Sequence, residues 1–596
     1  IPLDNRTAGT IPSEGACAVI LKPLDHAVRD KDRIYCVIKG SGNSSAGPVK
    51  GEKSLKNTED SQNTFVRSLE RAVVNSSVSM DSIDLYQAHA RGDKTEDDLE
   101  AKGVNLGFKA HDKGFCAITS AASVLGDTGG ISGLASFITA AASVYSRTFY
   151  PAKGYRNPGF DNWNRQRFHI PIQPAFRPRK PGNSPGRACI GSMTKDGGCS
   201  HVVIEAYQQA NKSFDKRFAV EFSDKAVFLI KGRDTRDLLL RLDELQNLAQ
   251  NESSVIRASR KWYDQNRTDP RQGRCFVSIV AQTGQSFDRH LQTARSCVKD
   301  NRKSELVHNE GVVYTPEPLG LQGKVAFLYP GSGNHFPGMA RELSVLFPDV
   351  FTDLEHKGAS LLKMLQPKLF YPQRIDWPPQ WKEDSAEKIR RDIHAMIFSQ
   401  VAFGLFMTRV AERFNLLPDA AIGHSLGETA SLFSLGVWSD PEQMLQRMEQ
   451  SDLFTRQLSG EFLCAKQHWN LAEEQPVRWA VASVNRAKEF VDERIKTYPR
   501  LYRLIVNTPQ ETVIGGEESD VRRFIQETGC GAQMIDGVVS VHCPIAEHAS
   551  KAYFDLHRFE CEPVDGIEFY SCHAGRPYIP ETFATARSIL DQALYG

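Results

Sequence analysis

The stretch Ala421-Ile422-Gly423-His424-Ser425-Leu426-Gly427-Glu428 decides how the second half of this chain is read. It has the form G-x-S-x-G. The apolar residues ahead of it, Leu416-Leu417 and Ala420 to Ile422, read as a buried strand. The run from Glu428 to Leu435, rich in Ala, Ser and Leu, reads as a helix. A chain that passes from strand to helix within so few residues must turn sharply, and Gly423 and Gly427 permit the close backbone approach such a turn demands. The serine hydroxyl would then stand at a helix N-terminus, where unpaired N–H groups and the helix dipole favour negative charge. Acyl transfer through a serine ester needs that arrangement. Glycines also flank serines in ordinary strand-to-helix turns, so partners for Ser425 decide between the two readings.

The first partner is upstream. Lys324 to Tyr329 reads as a buried strand running into Pro330-Gly331-Ser332-Gly333-Asn334-His335-Phe336-Pro337-Gly338-Met339, a glycine-rich turn that presents backbone N–H groups. This segment resembles the opening loop of the malonyl-transacylase family of acyltransferases, and Gly423-His424-Ser425-Leu426-Gly427-Glu428 resembles that family's nucleophile signature. The resemblance implies an oxyanion hole made by the N–H groups of Ser332 and Leu426. Val539-Ser540-Val541-His542-Cys543-Pro544 is similar to the family's histidine segment. That similarity makes His542 the general base for Ser425, oriented by a backbone carbonyl that the resemblance places beyond residue 596. His424 is expected to point away from the nucleophile as a supporting hydrogen-bonder, and His548 to lie on a helix surface.

The same likeness bears on the acyl group. Malonyl-selective relatives carry an arginine about 25 positions after the serine, which pairs bidentately with the free carboxylate. Gln450 stands there, with Arg447 one helical turn earlier and Arg456 further on. Gln450, Arg447, His424 and Val541 are the expected acyl-binding residues, and the expected acyl group is neutral. Helices are expected from Met339 to Leu354, interrupted at Pro348, and from Ser385 to Phe414. Between serine and histidine, Trp479 to Val484, Tyr502 to Ile505 and Glu511 to Ile514 read as strands, with helices at Lys488 to Thr497 and Glu518 to Glu527. This insert, 456–535, resembles the family's ferredoxin-like subdomain, a lid over the acyl pocket.

The first 206 residues read as an α/β unit. Strands are expected at Gly15 to Leu21, Arg33 to Lys39, Ile83 to Ala88 and His201 to Ile204, and helices at Phe65 to Val74 and Gly130 to Tyr145. Glu14 to Lys22, Gln87-Ala88-His89-Ala90-Arg91-Gly92-Asp93, Thr119 to Asp127 and Cys199 to Glu205 resemble, in order, segments of the C-terminal half of a ketosynthase. Condensation in that family needs a cysteine and two histidines. His89 matches the first histidine, but Asp127 stands at the second and Ala122 at the lysine, and no residue here matches the cysteine. The implied domain is ketosynthase-like and does not condense.

The resemblance as a whole is to the acyltransferase subunits of polyunsaturated fatty acid synthases, and of the related cyanobacterial glycolipid synthases. It implies an α/β multidomain chain: the C-terminal half of a thiolase-like ketosynthase fold (1–206), an α/β adapter (207–322) and an α/β-hydrolase-like acyltransferase core (323–596) that stops before the family's last elements. It also implies an acyl-CoA or acyl-carrier substrate and no bound cofactor. The partners it implies are an acyl carrier protein bearing phosphopantetheine, other synthase subunits, and a second copy joined through the ketosynthase-like domain. The same acyl-serine could instead release a free fatty acid to water, or the domains could serve only as a scaffold.

Bulk properties set the frame. The 596 residues suffice for about four domains. Lys+Arg number 73 against 72 Asp+Glu, a net charge of +1, so overall charge makes no case for nucleic acid or an anionic membrane as partner. Twelve cysteines without a C-x-x-C pair read as reduced thiols of a cytoplasmic protein, with no metal site. No apolar run of 18 residues is present, so no membrane span is expected. The chain lacks an initial Met, and nothing at its start has the form of a signal peptide.

Overall fold

A computed structural model describes residues 1–45, 59–108, 115–177, 185–207, 225–266, 273–300, 311–357, 363–537 and 539–596. Most of the charged stretch Lys299 to Glu310 lies outside them. The chain forms two compact units, residues 1–214 together with 326–596, and residues 215–325.

The N-terminal part of the first unit is built on a six-stranded sheet. Its order is Val37–Ser45, Gly198–Glu205, Arg187–Met193, Leu85–Ala88, Cys116–Ser120, Phe168–His169. Leu85–Ala88 and Cys116–Ser120 are buried at every position, as central parallel strands between two layers must be. The helix Glu59–Ser76 packs Phe65, Leu69 and Ala72 on one face. The strand expected at Gly15 to Leu21 does not form. Its Ile20 is 97% exposed, and among the described residues no strand lies alongside to accept its backbone hydrogen bonds; an apolar run is a strand only where a neighbour pairs with it.

The C-terminal part of this unit has a parallel core of Ala326–Tyr329, Ala420–Gly423 and Glu568–Ser571, with Arg576–Tyr578 antiparallel at one edge. Behind it runs the helix Ile393–Arg413, started by Asp392, whose carboxylate accepts from the Ala395 N–H at 2.8 Å. The single helix expected over Ser385 to Phe414 is thus two, Trp381–Arg391 and Ile393–Arg413, broken where Asp392 leaves helical dihedrals to become the cap. Ile393–Arg413 is the one described helix long and apolar enough to cross a membrane, and 72% of its most apolar window is buried inside the fold. Its Phe403, Val401 and Ala402 are core residues.

An antiparallel four-stranded sheet interrupts this core. It runs strand-helix-strand-strand-helix-strand from Trp479–Val484 to Ala532–Ile535, in the order Leu501–Thr508, Glu511–Glu517, Trp479–Val484, Ala532–Ile535. The segment 371–381 leaves the C-terminal part and enters the N-terminal core. Trp377 and Ile375 are buried there, the Trp377 indole N–H donates to the Ile170 carbonyl at 2.9 Å, and the Tyr155 hydroxyl donates to the Ile375 carbonyl at 2.8 Å. The second unit is a three-stranded antiparallel sheet, Val312–Thr315, Cys275–Ala281, Ala226–Gly232, covered by three helices.

Candidate active site

The strand Ala420–Gly423 ends against a helix, Leu426–Ser434, with only His424 and Ser425 between them. So tight a turn places Ser425 at φ 52° and ψ −120°, a strained conformation for a residue with a side chain. Both flanking glycines are compulsory. A Cβ on Gly423 would lie 2.1 Å from the Glu428 nitrogen, and one on Gly427 would lie 2.0 Å from the Tyr329 carbonyl oxygen. The strain aims the Ser425 hydroxyl at His542, with Oγ 2.9 Å from Nε2.

His542 is buried and also has positive φ, 63°. Its Nδ1 lies 2.8 Å from the Gln592 carbonyl oxygen, and its backbone N–H donates to the Ala593 carbonyl. A carbonyl only accepts, so Nδ1 carries the proton and Nε2 offers its lone pair to the serine hydroxyl. The orienting carbonyl therefore comes from Gln592, in the helix Thr582–Tyr595, and not from beyond residue 596. Burial lowers the His542 pKa to about 4; the Gln592 carbonyl raises it, and nearby His424 lowers it further. The ring is thus neutral, as a base must be, well below pH 7. Acylation of Ser425 should stay level from pH 8 down to about 5 and fall only below that. A midpoint near 6.5 in a stopped-flow pH profile would mean a solvated imidazole. The same depression costs stability as pH falls from 6.5 towards 4, because there the unfolded chain binds the proton that the folded chain refuses.

The backbone N–H of Leu426 opens a helix and has no partner within it. That of Ser332 lies in the glycine loop after Ala326–Tyr329. Neither donates to an acceptor among the described residues, and both residues line one cavity with Ser425 and His542. The loop is braced from two sides, by the Gln400 amide donating to the Pro330 carbonyl at 3.0 Å and the Asn334 amide donating to the Gly331 carbonyl at 2.6 Å. Beneath the turn, burial raises Glu428 to about 8, and its Oε1 accepts from the Cys572 N–H at 2.7 Å.

The cavity measures about 130 Å³ and is walled mainly by Ile, Leu, Val, Met and Phe. Val541 and His424 line it. Gln450 and Arg447 do not, contrary to expectation. The helix Pro441–Gln450 turns Met444 and Met448, one turn apart, to the cavity, so Gln450, two residues further, faces solvent. Arg447 donates to the carbonyls of Asp555, Leu556 and Arg558 at 3.3, 3.4 and 3.0 Å and lies over the Phe559 ring. Arg456 pairs with Glu461 at 2.7 Å. Among the described residues, no arginine or lysine lines the cavity. His424 stands at the cavity and not turned from it, with Nε2 3.2 Å from Asn507 Oδ1 of the inserted sheet. His548 is exposed, its Nε2 3.3 Å from His468 Nδ1.

In the N-terminal sheet region, Asp127 is not poised for chemistry. Arg91 holds Glu96 through two hydrogen bonds of 2.8 Å and Asp127 through one of 3.2 Å. His89 is buried nearby, and burial lowers its pKa. Among the described residues no group of three or more His, Cys, Asp or Glu could hold a metal ion.

Residues 35–156 match the family model "Beta-ketoacyl synthase, C-terminal domain". Over 91% of its length the chain is 24% identical to a phenolphthiocerol/phthiocerol polyketide synthase of Mycobacterium tuberculosis, covering 27% of that protein. It is 23% identical over 91% to probable polyketide synthase 6 of Dictyostelium discoideum, covering 18% of it. It is 26% identical over 73% to the hybrid PKS-NRPS synthetase iccA of Talaromyces variabilis, covering 10% of it. The chain thus spans roughly a tenth to a quarter of these relatives. Among solved structures it is similar to the acyltransferase domain from module 8 of the salinomycin polyketide synthase, with 18% identity and a TM-score of 0.45 over 63% of this chain and 80% of that one. A ketosynthase-related region and an acyltransferase-like α/β domain with a candidate Ser425–His542 pair share this chain, as in multidomain synthases of the polyketide and fatty-acid type.

Proposed function

We propose that this chain transfers an acyl group from a CoA or carrier-protein thioester to Ser425, and from there to the phosphopantetheine thiol of an acyl carrier protein. The observation that carries this reading is the run Ser425 Oγ, His542 Nε2, His542 Nδ1, Gln592 carbonyl, with contacts of 2.9 and 2.8 Å. His542 takes the hydroxyl proton as Oγ attacks the thioester carbon. The oxyanion settles between the N–H groups of Ser332 and Leu426, and the departing thiolate takes the proton back from His542. The second thiol repeats the sequence in reverse. The inserted sheet, with a ferredoxin-like strand order, acts as lid. The ketosynthase-like region, 1–206, serves as platform and dimer contact, since the paired Arg91 and Asp127 leave no second histidine to stabilise an enolate. Residues 207–322 act as adapter to 323–596, within a cytoplasmic synthase of the polyunsaturated fatty acid or glycolipid kind.

The mainly apolar lining, without Arg or Lys among the described residues, supports a neutral acyl group over malonyl. A free carboxylate brought there would lose its hydration with no cation to replace it. Intact-protein mass spectrometry after incubation with acyl-CoA thioesters tests both points. The expected result is a single adduct on Ser425 with saturated acyl groups, at least about tenfold over malonyl, discharged onto added holo carrier protein. Preference for malonyl would overturn the selectivity. Release of free acid in place of carrier loading would identify a thioesterase, and no adduct from any thioester would leave a scaffold.

A further inference from the structure

One wall of the acyl cavity is polar where its surroundings are not. The short helix Ser550–Leu556 ends at His557, which is 8% exposed and lines the cavity beside Leu556, Phe559 and Met448. Its Nδ1 is 2.8 Å from the Tyr553 carbonyl oxygen, which fixes the proton on Nδ1. Burial lowers its pKa to about 4, offset in part by that carbonyl, so the ring is neutral. Nε2 is then a bare acceptor, and it has no partner among the described residues. The Tyr553 ring stacks on the imidazole, with centroids 4.6 Å apart and planes at 26°, and it too lines the cavity. Its hydroxyl also lacks a partner among the described residues, and burial raises its pKa, so it stays a donor.

The wall is held rigidly. Arg447 ties the carbonyls of Asp555, Leu556 and Arg558 together and covers Phe559, so His557 sits in a segment clamped on both sides. An acceptor and a donor, on stacked rings in a mainly apolar pocket, hydrogen-bond to no other described residue. An alcohol has the chemistry to answer both, donating to the imidazole and accepting from the phenol. A ketone satisfies only the tyrosine, and a methylene neither.

The geometry points to a hydroxyl-bearing acyl chain as the preferred cargo, its O–H donating to His557 Nε2 and its oxygen accepting from Tyr553. This rests on the acyl-Ser425 reading and specifies its substrate. The experiment compares acylation of Ser425 by thioesters of one chain length that carry a hydroxyl at successive carbons, the matching ketones, and the plain chain. One hydroxyl position should exceed both the ketone and the plain chain by about tenfold or more in kcat/KM, the worth of one buried hydrogen bond. His557→Phe should remove that preference, and His557→Gln, which retains an acceptor, should keep part of it. A flat series in the native chain, or a preference that survives His557→Phe, overturns the inference and leaves the transferase reading intact; water alone then occupies the wall. If no thioester acylates Ser425, both fall together.

Discussion

Ser425→Ala should abolish acyl adducts and slow carrier loading by on the order of 10⁵-fold. His542→Ala should cost nearly as much, and the double variant no more than the worse single one. The geometry dictates this non-additivity. Ser425 Oγ has His542 Nε2 at 2.9 Å, and the imidazole has its other nitrogen committed to Gln592. A base without a nucleophile, or a nucleophile without a base, has nothing left to contribute. Losses that instead multiplied in the double variant would mean that His542 acts on something other than the serine. Ser425→Gly separates chemistry from strain. It should be as inactive as the alanine variant yet more stable by about 1 kcal/mol, since only glycine holds φ 52°, ψ −120° without cost. Equal melting of the glycine and alanine variants would show that the turn stores no strain.

How much of this was legible in the sequence follows from the kind of group each role requires. Ser425 and His542 are side chains with chemistry of their own, and their segments stood out. The turn between strand and helix was legible because two glycines there are compulsory, as the 2.0 and 2.1 Å clearances show. The orienting carbonyl of Gln592 was not, because a main-chain oxygen leaves no mark on residue type; any residue in that helix position supplies one. Gln450 and Arg447 were misplaced for a related reason. Counting residues from Ser425 assigns a position, but the helix Pro441–Gln450 decides the face, and its apolar positions 444 and 448 already marked which side turns inward. His557 and Tyr553 carried a faint signal, a histidine four residues, or one helical turn, after a tyrosine. Only the fold shows that they share a wall with the nucleophile. The strand misread at Gly15 to Leu21 has the opposite cause: its residues suit a strand, and pairing, which is non-local, withholds one.

The second large effect belongs to a residue with no chemistry at all. Gly427 sits where the nucleophile helix passes the end of the neighbouring strand, and a Cβ there would lie 2.0 Å from the Tyr329 carbonyl oxygen and 2.9 Å from that of Pro330. Both are backbone atoms, so the clash cannot be relieved by a rotamer. Tyr329 is moreover fixed to the turn, its carbonyl accepting from the His424 N–H at 2.9 Å. Gly427→Ala must therefore part the strand end from the helix, by about 1.4 Å to reach ordinary contact. Ser332 lies three residues beyond Tyr329 and Leu426 one residue before Gly427, so the movement separates the two N–H donors that would share the oxyanion. His542 stays held from its far side by the Gln592 carbonyl, which the substitution does not touch. The expected result is a loss of about 10²–10³ in kcat, the size of one misplaced oxyanion donor, with KM little changed and the folded state retained. Gly130→Ala, where an added Cβ meets nothing within 4 Å, is the matching control and should leave kcat unaltered. If Gly427→Ala transfers acyl groups within about threefold of the native rate, the loop from Pro330 to Gly333 does not form the oxyanion wall, and Leu426 acts there with a donor from elsewhere.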